Sequence, residues 1–254
     1  MLELAGRPDH LSLAEIAARL AGTHGLRVHL TTVHRALRRA GWTCKKLSLR
    51  AAERAREDVA QARATWWTDA ADGLGGISPE RLVFLDECGV LTAMARLHGR
   101  SPRGTRAHGS VPCGRWERLT VLGALGSKGV VAAMGVEAAT SAEVFHAFLD
   151  QALLPELRRT RPDAVLVMDN LAAHKAPRVR ALLDGSGFAY RYLPAYSPDL
   201  NPIEPTWAKV KAELRRVAAR SVGALHEALG PALAGVTPQD AAGCFRHCGY
   251  AHPR

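Results

Sequence analysis

Apolar residues recur at two different spacings along the 254 residues, and the change of spacing divides the chain. From Leu11 to Ala21 the spacing is helical. Leu13, Ile16, Ala17 and Leu20 share one face, and Ser12 stands three residues before Glu15 as a capping box requires. Gly22 and Gly25 end this helix. A second helix is predicted from Thr31 or Thr32 to Gly41, with Val33, Ala36 and Leu37 inward and His34, Arg35, Arg38 and Arg39 outward. Two short helices around a glycine-containing turn, the second one basic, match a helix-turn-helix, whose second helix enters the major groove of DNA. A helical hairpin that only packs on the rest of the chain would show the same pattern. Trp42 to Leu49 reads as a wing that brings Lys45 and Lys46 near phosphates. Leu49 to Ala71 predicts a polar helix anchored by Trp66 and Trp67, and Gly73 to Pro79 breaks the chain.

Beyond residue 80 the pattern becomes strand-like. Arg81-Leu-Val-Phe-Leu-Asp-Glu87 and Ala164-Val-Leu-Val-Met-Asp-Asn170 are short apolar runs without polar alternation, as expected of strands covered on both faces, and each closes on a carboxylate. Arg118 to Leu125 and Gly129 to Val136 predict two strands joined by Gly-Ser-Lys-Gly, so that strands one to three form an antiparallel meander. Thr92 to Gly114 is a loop rich in Arg, Gly and Pro. Ser141 to Leu157 is an amphipathic helix, Ala176 to Leu183 another, and Phe188 to Leu193 a strand. Prolines at 194, 198, 202 and 205 then exclude any regular element from Tyr192 to Trp207, and a Lys- and Arg-rich helix runs on to about Ala219.

Glu204 opens that last helix. An ordinary reading makes Asn201 its N-cap, Pro202 its first residue and Glu204 the acid of a capping box. Two strand-end aspartates favour a different one. An acid at the end of a buried strand is costly unless a charge meets it there, and ligands of open α/β sheets gather at strand ends. Three converging carboxylates without Cys or His suit a hard cation such as Mg²⁺. Asp199 competes with Glu204, but in a Ser-Pro-Asp loop it is expected to make a turn hydrogen bond.

Composition adds a direction. Hydrophobic residues (47%) and charged residues (23%) are at ordinary globular levels, but the formal net charge is +10. From Arg27 to Arg56 nine Lys or Arg residues face one acid, Glu53, and from Arg96 to Arg118 six arginines face Glu117. Such clusters commonly meet phosphate, although a coding bias toward Arg and Ala would also raise the count. Lys209, Lys211, Arg215 and Arg216 either track DNA or form a solvated face. Five cysteines lack the spacing of a disulfide framework and read as reduced thiols; Cys244, His247, Cys248 and His252 fit no familiar zinc spacing. Glu3, Arg7 and Asp9 occupy the place of a signal-peptide core, and no apolar run approaches the ~18 residues of a membrane span.

Asp86 with Glu87, Asp169-Asn170 with His174 downstream, and Ser197-Pro-Asp-Leu-Asn-Pro-Ile-Glu204 with Trp207 resemble the catalytic signature of DDE transposases of the Tc/mariner superfamily, in its bacterial insertion-sequence branch. The interval of 34 positions, residues 170 to 203, also matches that branch. The resemblance covers roughly residues 80 to 220. It implies a ribonuclease-H-like α/β domain over 80–254, with a mixed five-stranded sheet and flanking helices, behind a helix-turn-helix or winged-helix segment over 1–50 and a linker helix over 51–79. Relatives carry more N-terminal helices than this chain has room for, so the DNA-binding segment is expected to be incomplete.

The resemblance selects Asp86 over Glu87 and makes Asp86, Asp169 and Glu204 both catalytic and metal-binding. Asp86 would bridge two Mg²⁺ ions, for which Mn²⁺ could substitute, with Asp169 and Glu204 holding one each and Asn170 and His174 in support. Trp207 is read as packing. Double-stranded DNA at terminal inverted repeats, target DNA, a homodimer in the DNA complex, no membrane and a cytoplasmic, nucleoid-associated location follow from the same likeness. Two other readings stand beside it: a truncated or domesticated DNA-binding protein that kept the fold, and a metal-dependent nuclease without strand transfer.

Overall fold

The computed structural model describes residues 2–5, 10–45, 47 and 51–250. The chain forms two compact units that divide between residues 50 and 51.

In the first unit α1 (Leu13–His24) and α2 (Leu30–Arg39) pack around Ile16, Leu20 and Val33. Both halves of the Ser12–Glu15 capping box are made, and Gly25, with φ of 66°, supplies the left-handed residue that stops α1. α2 starts slightly before its expected position because the His29 ring accepts the Thr31 N–H and acts as the N-cap. The expected wing carries no strand at residues 42–45, and Lys46 lies outside the described residues.

The second unit is built on a five-stranded sheet in the order β3-β2-β1-β4-β5, where β1 is Leu82–Leu91, β2 Arg118–Gly126, β3 Gly129–Val136, β4 Val165–Met168 and β5 Ala189–Tyr192. β1, β2 and β3 form the antiparallel meander, and β4 and β5 join in parallel. β1 and β4 alternate between two cores. Val83, Leu85, Leu166 and Met168 face α4 and α5 (Pro177–Ser186). α4 runs through Ala142–Ala147, a π-helical segment Phe148–Leu153 and Leu154–Thr160. The π segment precedes Pro155, whose ring would crowd the carbonyl four residues earlier in a regular helix.

Leu82, Phe84, Val165 and Val167 face α6 (Ile203–Val217), α7 (Val222–Ala234) and α8 (Pro238–His247). Where the sequence predicts one long helix from Leu49 to Ala71, residues 51–71 hold a 3₁₀ turn, Ala52–Ala55, and a short helix, α3 (Glu57–Thr65). Residues 51–79 do not stand apart from the sheet: Trp66 and Leu74 are buried in the same core as α6.

The strand-end position expected for Asp86 is corrected by the structure. β1 runs on to Leu91 because β2 pairs with it from Val83 to Leu91, and Cys88 and Val90 stay buried between the exposed turns of the pleat. Only β4 ends early. It pairs Phe84 with Val167, and continuing that register by two places sets Asp86 level with Asp169.

Candidate active site

The proline-rich loop positions Glu204. It holds one 3₁₀ turn, Pro198–Leu200, and Tyr196 takes a left-handed φ of 55°. Its height over the sheet is set from beneath: the Tyr250 hydroxyl donates to Leu200 O at 2.6 Å and accepts from Trp66 Nε1 at 3.2 Å. The capping box at Asn201, the alternative reading of Glu204, is not what forms. α6 begins at Ile203 with Pro202 as N-cap and no side-chain cap, and Asn201 Oδ1 is buried without a hydrogen-bond partner among the described residues. Glu204 is therefore not engaged at the helix end and lies open to solvent on one side. Asp199 differs from expectation too. Instead of closing a turn, its carboxylate takes a fork from Arg54 (3.1 and 3.1 Å) and another from Arg63 (3.1 and 2.8 Å). Partial burial is outweighed by the two guanidiniums, which hold the Asp199 carboxyl below its usual range.

Asp86 and Glu87 point to opposite faces of the sheet, as neighbours in a strand must. On the α6 side, Trp207 Nε1 donates to Asp86 Oδ2 at 3.0 Å. The indole can lie there because Gly123, the partner of Asp86 across the β1–β2 ladder, has no side chain; a Cβ at that position would stand 2.5 Å from Trp207 Cη2. Burial pushes the Asp86 carboxyl up to about 8, and the neighbouring Glu204 and Glu87 push the same way, against the Glu87 backbone N–H and the indole. Partial desolvation also raises Glu204; Asp169 adds to the rise and Lys211 opposes it.

Asp169 lies one residue beyond β4. Its Oδ1 accepts from Leu171 N at 3.1 Å and sits 2.7 Å from His174 Nδ1. The other ring nitrogen of His174, Nε2, is 2.7 Å from Glu87 Oε1. The imidazole is fully buried and stacked on Phe145, with ring centroids 3.9 Å apart. Burial alone lowers the His174 pKa, but hydrogen bonds to Asp169 and Glu87 outweigh it and bring it to about 9, so the ring is an imidazolium at neutral pH. Asn170 turns toward the sheet edge and donates to Leu193 O at 3.1 Å.

Asp86, Glu204 and Asp169 are thus joined by successive like-charge couplings, Asp86 to Glu204 and Glu204 to Asp169. They do not form a closed cage: among the described residues no three His, Cys, Asp or Glu side chains stand close enough together to hold a metal ion. The same holds for the C-terminal thiols. Cys244 accepts from Thr206 Oγ1 at 3.4 Å, Cys248 is buried, and His252 lies outside the described residues. The carboxylates also lie outside a large groove in the second unit. That groove of about 1090 Å³ follows edge strand β5, and its wall includes Asn170 but none of the three acids. In the first unit His34, Arg35, Arg38 and Arg39 are exposed on α2, and Lys45 is exposed beyond it. No helix among the described residues is long and apolar enough to cross a membrane.

Three features of the site were not anticipated from sequence. Trp207 packs, as expected, but also donates to Asp86. Glu87, treated only as a rival of Asp86, holds a buried histidine. Lys211, grouped with a basic face, acts on Glu204, whereas Lys209 is paired with Asp240 and Arg216 with Glu213. The signal for the first two was present in the alternation of strand faces and in the three-residue interval from Glu204 to Trp207, which puts both on nearly one helix face.

Among solved structures, the chain superposes on the Mos1 mariner paired-end complex with Mn at a TM-score of 0.74 and 19% identity, over 97% of this chain and 74% of the other. It superposes on the Mos1 transposase paired-end complex with the left transposon end at 0.71 and 19%, again over 97% and 74%, and on the Mos1 paired-end complex with Mg at 0.61 and 20%, over 97% and 73%. At such identities the likeness concerns the fold, and the fold is the one the resemblance implied. No curated protein sequence matches the chain. A family model described as DDE superfamily endonuclease matches residues 81–226, a stretch that begins just before β1, ends in α7 and contains Asp86, Asp169 and Glu204. With more than half its length matched, and with the three acids of that stretch carried within β1, one residue past β4 and at the start of α6, the chain belongs to the DDE superfamily endonucleases.

Proposed function

We propose that the protein is a transposase of the Tc/mariner type, which cleaves DNA at the ends of a mobile element and joins them to target DNA, with Asp86, Asp169 and Glu204 as the carboxylates that hold its divalent cations. The observation that carries this reading is the mutual crowding of three acids, one in β1, one just past β4 and one at the start of α6. Asp86 is desolvated and pressed by Glu204, Glu204 is pressed by Asp169, and the relief comes from the Glu87 backbone N–H, an indole N–H and Lys211. All-oxygen donors of this kind fit a hard divalent cation, Mg²⁺ or Mn²⁺. Bound there, such ions would stabilise charge on the attacking and leaving oxygens of a phosphodiester. The reading requires the three side chains to close further on the ions than they stand in the structure.

The chain's own residues supply the rest. Trp207 orients the Asp86 carboxylate, and the proline-rich loop, tied to Tyr250 through Leu200 O, presents Glu204 on a helix whose Ile203, Trp207, Val210 and Leu214 are buried in the core. The exposed Glu204 and the half-exposed Asp169 leave the acids accessible to a duplex. His34, Arg35, Arg38, Arg39, Lys45 and Lys46 would contact that duplex from the first unit. The Mos1 structures are paired-end complexes, and this chain would likewise act as a homodimer on two ends, in the DNA-containing cytoplasm. The domain division of the reading is a DNA-binding segment over 1–50, a connecting segment over 51–79 and the catalytic domain from residue 80.

The test uses duplexes that carry the inverted repeats flanking the gene, with Mg²⁺. Cleavage followed by joining to a second duplex is expected. Asp169→Asn is expected to abolish cleavage while duplex affinity stays near wild type, and retained cleavage would remove Asp169 from the site. Cleavage without joining would make the protein an endonuclease alone.

A further inference from the structure

Glu87 has no place in the three-acid chemistry, yet it is a carboxylate whose side chain is only 10% exposed, on the face of β1 opposite Asp86. An unpaired acid in that position would be costly. It is paired with His174, and the second nitrogen of the same ring is paired with Asp169, both at 2.7 Å. The ring is fully buried and lies on Phe145, so it cannot turn without losing a hydrogen bond at one end or the other. Asp169, by contrast, sits on a loop with its side chain 35% exposed. Apart from the ring, its Oδ1 is held only by Leu171 N at 3.1 Å, within its own loop.

We propose that Glu87 positions Asp169 through His174: the carboxylate behind the sheet sets the ring, and the ring sets the orientation in which Asp169 meets a divalent cation. This rests on the reading of Asp169 as a metal-site residue. The simpler alternative is that the two hydrogen bonds only tie the loop after β4 to β1. That loop is already tied twice elsewhere, by Asn170 Nδ2 to Leu193 O at 3.1 Å and by the Tyr192 hydroxyl to His174 O at 3.1 Å. Neither bond involves Glu87. Residues that hydrogen-bond a ligating carboxylate typically change metal affinity or activity by about 10- to 100-fold when removed.

The test is calorimetric titration of the full chain with Mn²⁺ alone, with thermal melting and DNA cleavage measured in parallel. Glu87→Ala and His174→Ala are each expected to weaken Mn²⁺ binding by about tenfold or more. The double variant is expected to be no weaker than His174→Ala, because Glu87 acts only through the ring. Wild-type Mn²⁺ affinity in a folded Glu87→Ala protein, or losses that simply add, would overturn the proposal, as would a fall in melting temperature with unchanged affinity. If Glu87→Ala does not fold, Glu87→Gln keeps the volume and carries the test: weakened Mn²⁺ binding at a near-wild-type melting temperature supports the proposal, and unchanged binding overturns it. Asp169→Asn separates the two levels. If it binds Mn²⁺ as wild type does, the metal-site reading itself has failed; if it loses Mn²⁺ while Glu87→Ala does not, only the positioning role has.

Discussion

Asp86 and Glu87 are adjacent in the chain and opposite in surroundings, and that contrast sets what each can do. Asp86 stands against Glu204 with an indole as its partner, so its folded pKa of about 8 lies well above that of an exposed aspartate. A carboxyl whose folded pKa is raised contributes stability below its unfolded pKa, and that contribution is lost as pH rises through the folded value. His174, raised to about 9 by Asp169 and Glu87 against the effect of burial, works in the same direction, its contribution present below about 6.5 and lost toward 9. In chelator, the melting temperature of the wild type should therefore fall between about pH 4 and pH 9. Asp86→Asn keeps an acceptor for Trp207 and removes the crowded charge, so at pH 8 it should melt above wild type while losing cleavage. A lower melting temperature than wild type at that pH would show that Asp86 is not strained. Gly123→Ala tests the other side of the same residue. A Cβ 2.5 Å from Trp207 Cη2 must displace the indole, at a cost of about 1–3 kcal/mol, and cleavage should fall with it. Wild-type melting and cleavage in that variant would mean that the indole has room to spare.

At the scale of elements, the strands and helices of the second unit follow from local pattern. The alternation in β1 and β4 sorts their side chains into two cores, and the helical stripes from Val144 to Leu157 and from Ile203 to Leu214 cover them. Their order also fixed the topology: a meander, then two parallel strands. What local pattern could not give was where a strand ends relative to its neighbour. Asp86 read as terminal because its apolar run stops there, whereas β1 continues through Cys88 and Val90 under the pairing of β2. Long-range partners were equally illegible. Asp199 in a Ser-Pro-Asp loop looks like a turn acid until Arg54 and Arg63, more than 130 residues away, are folded onto it. The capping box at Asn201 has the right letters, yet α6 begins at Ile203 with Pro202 as N-cap and no side-chain cap. For α2, pattern and structure agree on which residues are exposed. Arg35→Ala and Arg38→Ala should each weaken duplex binding and reduce the slope of log affinity against log salt by about one phosphate contact. An unchanged slope would make α1 and α2 a packing hairpin instead.

For the whole molecule, the formal charge of +10 and the acid crowding at the sheet are two parts of one design. On the proposed function, a basic exterior would gather a polyanion, and an acidic centre within it would need cations between acid and phosphate. The candidate acids were legible in the sequence from motif and spacing, because apolar runs that end in carboxylates and a loop of four prolines are local features. The support around them was not, since Trp207, Gly123, Glu87 and His174 act across strands and faces that only the fold brings together. The central claim is that Asp86, Asp169 and Glu204 close on a pair of divalent ions. A crystal of the protein grown with Mn²⁺, measured at the manganese absorption edge, addresses it directly. Two anomalous peaks about 3.5–4 Å apart, with all three carboxylates as ligands, are predicted. Manganese bound elsewhere, or a site from which Asp169 or Glu204 stays turned away, would contradict it.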